Sequence, residues 1–255
     1  MNKEEFLFLL LLLSAFVGEA QPQQQRHHHH HHICGTEPTD AEQDVLEQAL
    51  EAHRSNNLKN VHLSLSLKTV NKTYTIPVQF VVFEAEDGRG SNLTDAKIKN
   101  KLLGNLQHGF RDTPFAFELM EPVGIQRARN DSFFKCDESL ELEFKSKFRQ
   151  GGMETLNVFV CNLFAMGRFG IYGQAKLPAK PFNPRDGVLL MNPVLPKQGV
   201  SMLLLQNLLI HEVGHWMGLY HTFEVRAWAE NCSSFVSLSL SRSCSQIAIE
   251  NNNVL

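Results

Sequence analysis

SMLLLQNLLIHEVGHWMGLYH, residues 201–221, decides how the rest of the chain is read. His211 and His215 are four residues apart, which on an α-helix sets both imidazoles on one face, about 40° apart around the axis. Two ring nitrogens at that spacing can converge on one cation. Glu212 lies one residue on, roughly 100° around the helix, so its carboxylate reaches toward a water at the metal rather than toward the metal itself. Gly218 can take a left-handed conformation at low steric cost, so the helix is predicted to stop there and the chain to reverse. His221 is then delivered as a third ligand.

Three neutral imidazoles leave one tetrahedral position of Zn²⁺ open to water, the arrangement of a catalytic rather than a structural zinc. The implied chemistry is metal-assisted peptide hydrolysis, with Glu212 as the base that activates the water and returns the proton to the leaving amine. A lone histidine on such a helix is an ordinary buried core residue. Five specified positions in one register, His211, Glu212, His215, Gly218 and His221, are far more specific than the short HExxH pattern.

The pattern HExxHxxGxxH resembles that of the metzincin zinc endopeptidases. Its flanking residues, HEVGHWMGLYHTF from His211 to Phe223, are similar to those of the short secreted fungal and microbial members of the pappalysin family. A weaker similarity extends upstream to about Ile76. The resemblance implies His211, His215 and His221 as ligands to one catalytic Zn²⁺, Glu212 as catalytic base, and proteins or peptides as substrates. It also implies an α/β fold in which a twisted sheet carries a backing helix and the zinc-binding active-site helix.

Composition fits that expectation. With 255 residues and 43% hydrophobic content the chain can bury a core. A net charge of −3, a pI near 6.5 and no clustered Lys and Arg argue against nucleic acid or an anionic membrane as partner. Residues 1–20 read as a secretory signal. The apolar run Phe6–Val17 would cover about 18 Å as a helix, against about 30 Å of hydrocarbon, so no stable membrane insertion is expected. An extracellular location follows, and acceptor patterns for N-glycosylation at Asn71, Asn92, Asn130 and Asn231 agree with it. The sequence is silent on oligomeric state and on a calcium requirement.

Residues 21–38 form a low-complexity segment with a run of six histidines, His27–His32, that cannot build a core. A capping box at Thr39–Glu42 predicts a helix to about Arg54, and residues 39–75 are expected to be a pre-catalytic helix and linker. Five cysteines in an exported chain leave one unpaired. Cys34, ahead of the catalytic domain, could supply a thiolate to zinc and hold the enzyme latent; equally it could pair in a disulfide or be spare. Cys232 with Cys244 and Cys136 with Cys161 are both open pairings.

The catalytic domain is expected over residues 76–223. Ile76–Phe83 reads as a strand rich in β-branched and aromatic residues, Leu156–Val160 as one buried on both sides and Phe115–Leu119 as an alternating one. Thr94–His108 carries Ile98, Leu102 and Leu106 at helical spacing, and Asp137–Gln150 is a charged helix with Leu140, Phe144 and Phe148 on one face. Asp186–Asn192 reads as the last strand before the zinc helix, which is apolar nearly all round and therefore expected to be buried. By resemblance, Phe164–Pro178 covers an edge strand that lines the cleft and pairs with substrate backbone.

The family's second subdomain, with a methionine turn beneath the metal, has no counterpart here. Met217 is the last methionine, and residues 224–255 form an atypical serine-rich tail. Two functions are therefore expected to compete. One is a secreted zinc metalloendopeptidase; the other is a catalytically impaired zinc-binding fragment that lacks the methionine turn and the wall of the specificity pocket.

Overall fold

The computed structural model describes residues 34–36, 39, 44, 48, 73–163, 171–179, 182–192 and 201–221. The secretory leader, the histidine run, the tail after Phe223, and Asn71 and Asn231 lie outside the described residues, as do Cys232 and Cys244. The helix predicted from Thr39 is represented only by helical Asp44 and Gln48.

Eleven residues rich in β-branched and aromatic side chains form β1 (Tyr74–Glu84), the longest strand. Helix α1 follows in three contiguous pieces: Asp95–Lys97, the π-helical Ile98–Leu103, and Gly104–Gly109. Thr94 caps it by accepting the Lys97 amide, and Ile98, Leu102 and Leu106 face the core. Then come β2 (Phe115–Leu119), β3 (Ile125–Arg129), the short α2 (Asp131–Phe134), and α3 (Glu141–Phe148), which is preceded by a 3-10 turn. Strands β4 (Leu156–Cys161), β5 (Gly173–Ala175) and β6 (Val188–Met191) lead to α4 (Met202–Trp216).

The sheet runs β2-β1-β4-β6-β5, with β3 also paired to β1. β2 pairs with the first half of β1 and β3 with the second half, so the two behave as one interrupted edge. All these pairings are parallel except β5 against β6, which leaves β5 as the antiparallel outer strand. A parallel sheet is stable when helices cover both faces, which explains the unbroken burial of β4 and most of β1. On one face Phe83 and Phe159 pack against Phe144 of α3, and Phe83 also meets Phe133 and Phe148, with ring centroids 5.2–6.4 Å apart. Alternation along β1 and β4 leaves Val78, Phe80, Val82, Val158 and Val160 for the other face, which α1 and α4 cover. α1 and α4 meet closely: a Cβ on Gly109 would lie 2.6 Å from Ile210 Cδ1.

Three features differ from the sequence expectation. β3, with the sequence IQRAR, was not foreseen as a strand, because its half-exposed edge position carries no apolar alternation. Glu141 and Lys145 of the charged helix are buried, at 4% and 1% exposure, as an ion pair of 2.9 Å; Lys145 Nζ also donates to the Arg185 carbonyl at 2.6 Å. Burial pushes the Lys145 ammonium down, and Glu141 opposes the shift. On α4, Leu203 is 59% exposed, so burial of that helix begins at its second turn with Leu205, Leu208 and Leu209. Cys136 and Cys161 form a disulfide that ties the end of α2 to β4, and Cys34 is a free thiol.

Candidate metal centre

α4 begins where Ser201 accepts the Leu204 amide through its side chain, and it ends in a paired-amide cap. The Gly218 amide donates to the His215 carbonyl at 2.8 Å and the Leu219 amide to the Gly214 carbonyl at 2.9 Å. Gly218 has φ +92°, so the expected left-handed stop is what reverses the chain. The turn carries His221 back over the last helical turn.

There, Nε2 of His211, His215 and His221 stand 3.0, 3.1 and 3.2 Å from one another. The His215 Nδ1 lies 2.7 Å from the Leu219 carbonyl. A carbonyl can only accept, so Nδ1 carries the proton and the Nε2 lone pair is directed into the cluster. Burial holds the His211 imidazole down at about 4, with His221 adding to the effect, so its ring is neutral near pH 7. The Cys34 sulfur completes a group of four ligand atoms that all lie within 4.8 Å of one another.

This donor set fits zinc. Four ligands about 2.0–2.3 Å from one tetrahedral ion stand roughly 3.3–3.7 Å apart, and the three nitrogens are within a few tenths of an ångström of that separation. Imidazole with thiolate is the chemistry that zinc accepts and that calcium or magnesium does not.

Glu212 lies against β5, and its carboxylate also interacts with the Cys34 side chain of the cluster. It is fully buried, and its Oε2 accepts a 2.9 Å hydrogen bond from the Thr36 hydroxyl. Its Oε1 is buried without a hydrogen-bond partner. Burial pushes the carboxyl up to about 7, with the Cys34 and Thr36 side chains pulling back. In the metal-free chain burial, reinforced by the Glu212 charge, also pushes the Cys34 thiol well up. A bound divalent cation would reverse that. Gly173 is the close approach that lets Glu212 sit here: a Cβ on it would lie 2.8 Å from Glu212 Cγ.

The N-terminal tripeptide Cys34-Gly35-Thr36 lies along the outer strand. Gly35 donates its amide to the Gly173 carbonyl at 2.9 Å, and Gln174 Nε2 donates to the Gly35 carbonyl at 3.0 Å. Cys34 and Gly173 bridge in parallel. The Thr36 hydroxyl accepts from the Ala175 amide at 2.8 Å, and its own amide approaches the Cys34 sulfur at 3.3 Å. The sequence had put these residues in a low-complexity segment. Only the odd cysteine pointed to them, and nothing pointed to Thr36.

A second unforeseen anchor lies behind His215. Trp216 Nε1 donates to Asp186 Oδ1 at 3.0 Å, and Arg149 donates to Asp186 Oδ2 at 2.9 Å. Burial pushes the Asp186 carboxyl up while Arg149 opposes it, so a neighbouring guanidinium and indole hold this carboxylate under the metal helix. The indole–carboxylate bond joins the residue after His215 to the start of β6.

No protein-family model matches the chain. It is 26% identical over 191 residues to an extracellular metalloprotease of Arthroderma gypseum, covering 74% of this chain and 59% of that protein. It is 28% identical over 189 residues to one of Podospora anserina, covering 72% and 61%. The chain thus spans about six-tenths of the length of the curated relatives it matches. Among solved structures it is similar to a promirolysin mutant of Tannerella forsythia, at 22% identity and a TM-score of 0.48, covering 74% of this chain and 69% of that one. Mature mirolysin of the same organism, in complex with a cleaved peptide, gives 23% identity and a TM-score of 0.43 over 59% and 65%.

Proposed function

We propose that the chain belongs to an exported zinc metalloendopeptidase of the metzincin kind, close to the short pappalysins, with His211, His215 and His221 holding one Zn²⁺ and Glu212 serving as base. One observation carries this: three imidazole Nε2 atoms converge within 3.0–3.2 Å, and the tautomer of His215 is fixed by a backbone carbonyl. The names of the relatives supply the extracellular setting and the reaction class.

Zinc held by these rings would polarise the scissile carbonyl and make an attacking water nucleophilic at neutral pH. The protein's own groups do the rest. β5, an outer strand, offers backbone groups that hold an extended peptide across the metal. Glu212, with a carboxyl pushed up to about 7, is matched to taking a proton from water and returning it to the departing amine near neutrality. Leu208, buried and close to Gly173, backs the Glu212 side of the site with apolar surface.

We read the described chain as a latent arrangement, in which the Cys34 sulfur would serve as fourth ligand in place of water and Gly35 takes the β5 carbonyl that a substrate backbone would use. The test is zinc content by mass spectrometry, after removal of the histidine run, alongside casein hydrolysis by the wild type, Glu212→Ala and Cys34→Ser chains. One zinc per chain is expected, with hydrolysis raised in Cys34→Ser and abolished by a chelator or by Glu212→Ala. Stoichiometric zinc with no hydrolysis in any form would favour a zinc-binding protein without catalysis.

A further inference from the structure

Cys34 accounts for the metal side of the latent arrangement and leaves the base unaddressed. Thr36 is 4% exposed and sits between two functional groups of the cleft. Its hydroxyl oxygen accepts from the Ala175 amide at 2.8 Å while its proton goes to Glu212 Oε2 at 2.9 Å. It is thus an O–H that takes a hydrogen bond from the outer strand and gives one to the buried carboxylate. The attacking water would have to give its proton to the same carboxylate, and the substrate backbone to accept from the same outer-strand amide. Gly35, with no side chain, lets the segment lie flat between the two contacts: a Cβ there would meet Ile171 Cγ2 at 2.9 Å.

We infer that Thr36 is a second latch on the site, a hydroxyl that gives Glu212 the hydrogen bond the nucleophile's proton would give and so blocks it directly. That it is inhibitory rests on the proposed proteolytic role of Glu212; that it anchors the tripeptide does not. Cys34 and Thr36 divide the work. The thiol competes for the metal, the hydroxyl competes for the base, and Gly35 occupies the strand between them. Displacing the thiol alone therefore leaves the base capped.

The two parts are separated by measuring, in the metal-free full-length chain, the rate at which iodoacetamide alkylates Cys34, read by mass spectrometry of the peptide that contains it. Thr36→Val keeps the shape and removes the hydroxyl, and a buried hydrogen bond to a charged group is lost. Cys34 should then be alkylated about tenfold faster or more. Thr36→Ser keeps the hydroxyl and should stay within about twofold of wild type. In a Glu212→Ala background the same Thr36→Val change should accelerate alkylation less, because only the bond accepted from the Ala175 amide is then left to lose. A wild-type alkylation rate in Thr36→Val, or an undiminished acceleration in the Glu212→Ala background, would overturn the inference. In the zinc-loaded chain, Cys34→Ser/Thr36→Val should hydrolyse a peptide substrate several-fold faster than Cys34→Ser. Equal rates overturn the inhibitory role. Absence of hydrolysis in every chain removes the proteolytic reading and with it the inhibitory role, while the alkylation rates still decide whether Thr36 holds the segment through Glu212.

Discussion

Gly173→Ala is a small change placed where the strand and the base nearly touch. The added methyl would lie 2.8 Å from Glu212 Cγ, 2.9 Å from its Oε1 and 3.0 Å from Leu208 Cγ. Comfortable carbon contacts are about 3.5–4.0 Å, so each pair must separate by roughly half an ångström or more. Leu208 is buried in the body of α4, and β5 is hydrogen-bonded to β6 through Gly173–Ala175, so neither moves easily. Glu212 is held by the Thr36 hydroxyl at Oε2, Oε1 having no hydrogen-bond partner, and the carboxylate is expected to swing about that contact. Overpacking of this kind costs about 1–3 kcal/mol of stability. Displacing a catalytic group by about 1 Å costs on the order of a hundredfold in rate. The assay compares Gly173→Ala with its parent in the Cys34→Ser chain, by urea unfolding, zinc content and peptide hydrolysis. Zinc should be retained, because the atoms nearest the methyl belong to Glu212 and Leu208 rather than to the three histidines, while kcat falls about a hundredfold and KM changes less. Unchanged kcat with unchanged stability would refute the idea that the outer strand fixes the base. A parallel loss of zinc would move the effect to the metal.

Chelation should lower the melting temperature, and zinc at about a hundred times its Kd should restore about 2.7 kcal/mol, measured by thermal unfolding with the histidine run removed. Trp216→Phe removes the indole donor from the buried Asp186 carboxylate, and a loss of about 1–3 kcal/mol is expected in urea unfolding. Phe144→Ala opens a cavity between Phe83, Phe133 and Phe159, with an expected cost of about 3–5 kcal/mol by the same method. Replacing Cys136 and Cys161 by serine together frees a loop of 25 residues and should cost about 3 kcal/mol, seen as a lower urea midpoint under non-reducing conditions.

The parts of the fold that were legible in the sequence are those encoded locally. α1 announced itself through Thr94 and the Ile98–Leu102–Leu106 stripe, and α4 through the histidine spacing and Gly218, because a helix writes its own period and caps into neighbouring residues. β1 and β4 were legible because strands buried on both faces must be apolar throughout. What was missed depends on contacts far apart in the chain. Thr36 meets Glu212 across 176 residues, and Trp216 meets Asp186 across 30, so no local pattern marks either pair. β3 is half-exposed and carries no periodic signal, and β5, only GQA, carries none either and was reached only through the resemblance that put an edge strand in Phe164–Pro178. Glu141 and Lys145 lie on what reads only as a charged helix, and Lys145 is instead enclosed by the Arg185 carbonyl and the Phe159 ring.

The bridge between Gly35 and Gly173 bears on colloidal behaviour as well as on chemistry. An outer strand with unsatisfied amides and carbonyls is a template for any extended chain, including another copy of the same protein. While the tripeptide lies on β5 that template is covered. Withdrawing it uncovers the groups that, on the proposed function, would recruit substrate, and these same groups can nucleate self-association. On that reading activation and solubility are opposed along one short strand, and the released form should be the one that precipitates first on concentration.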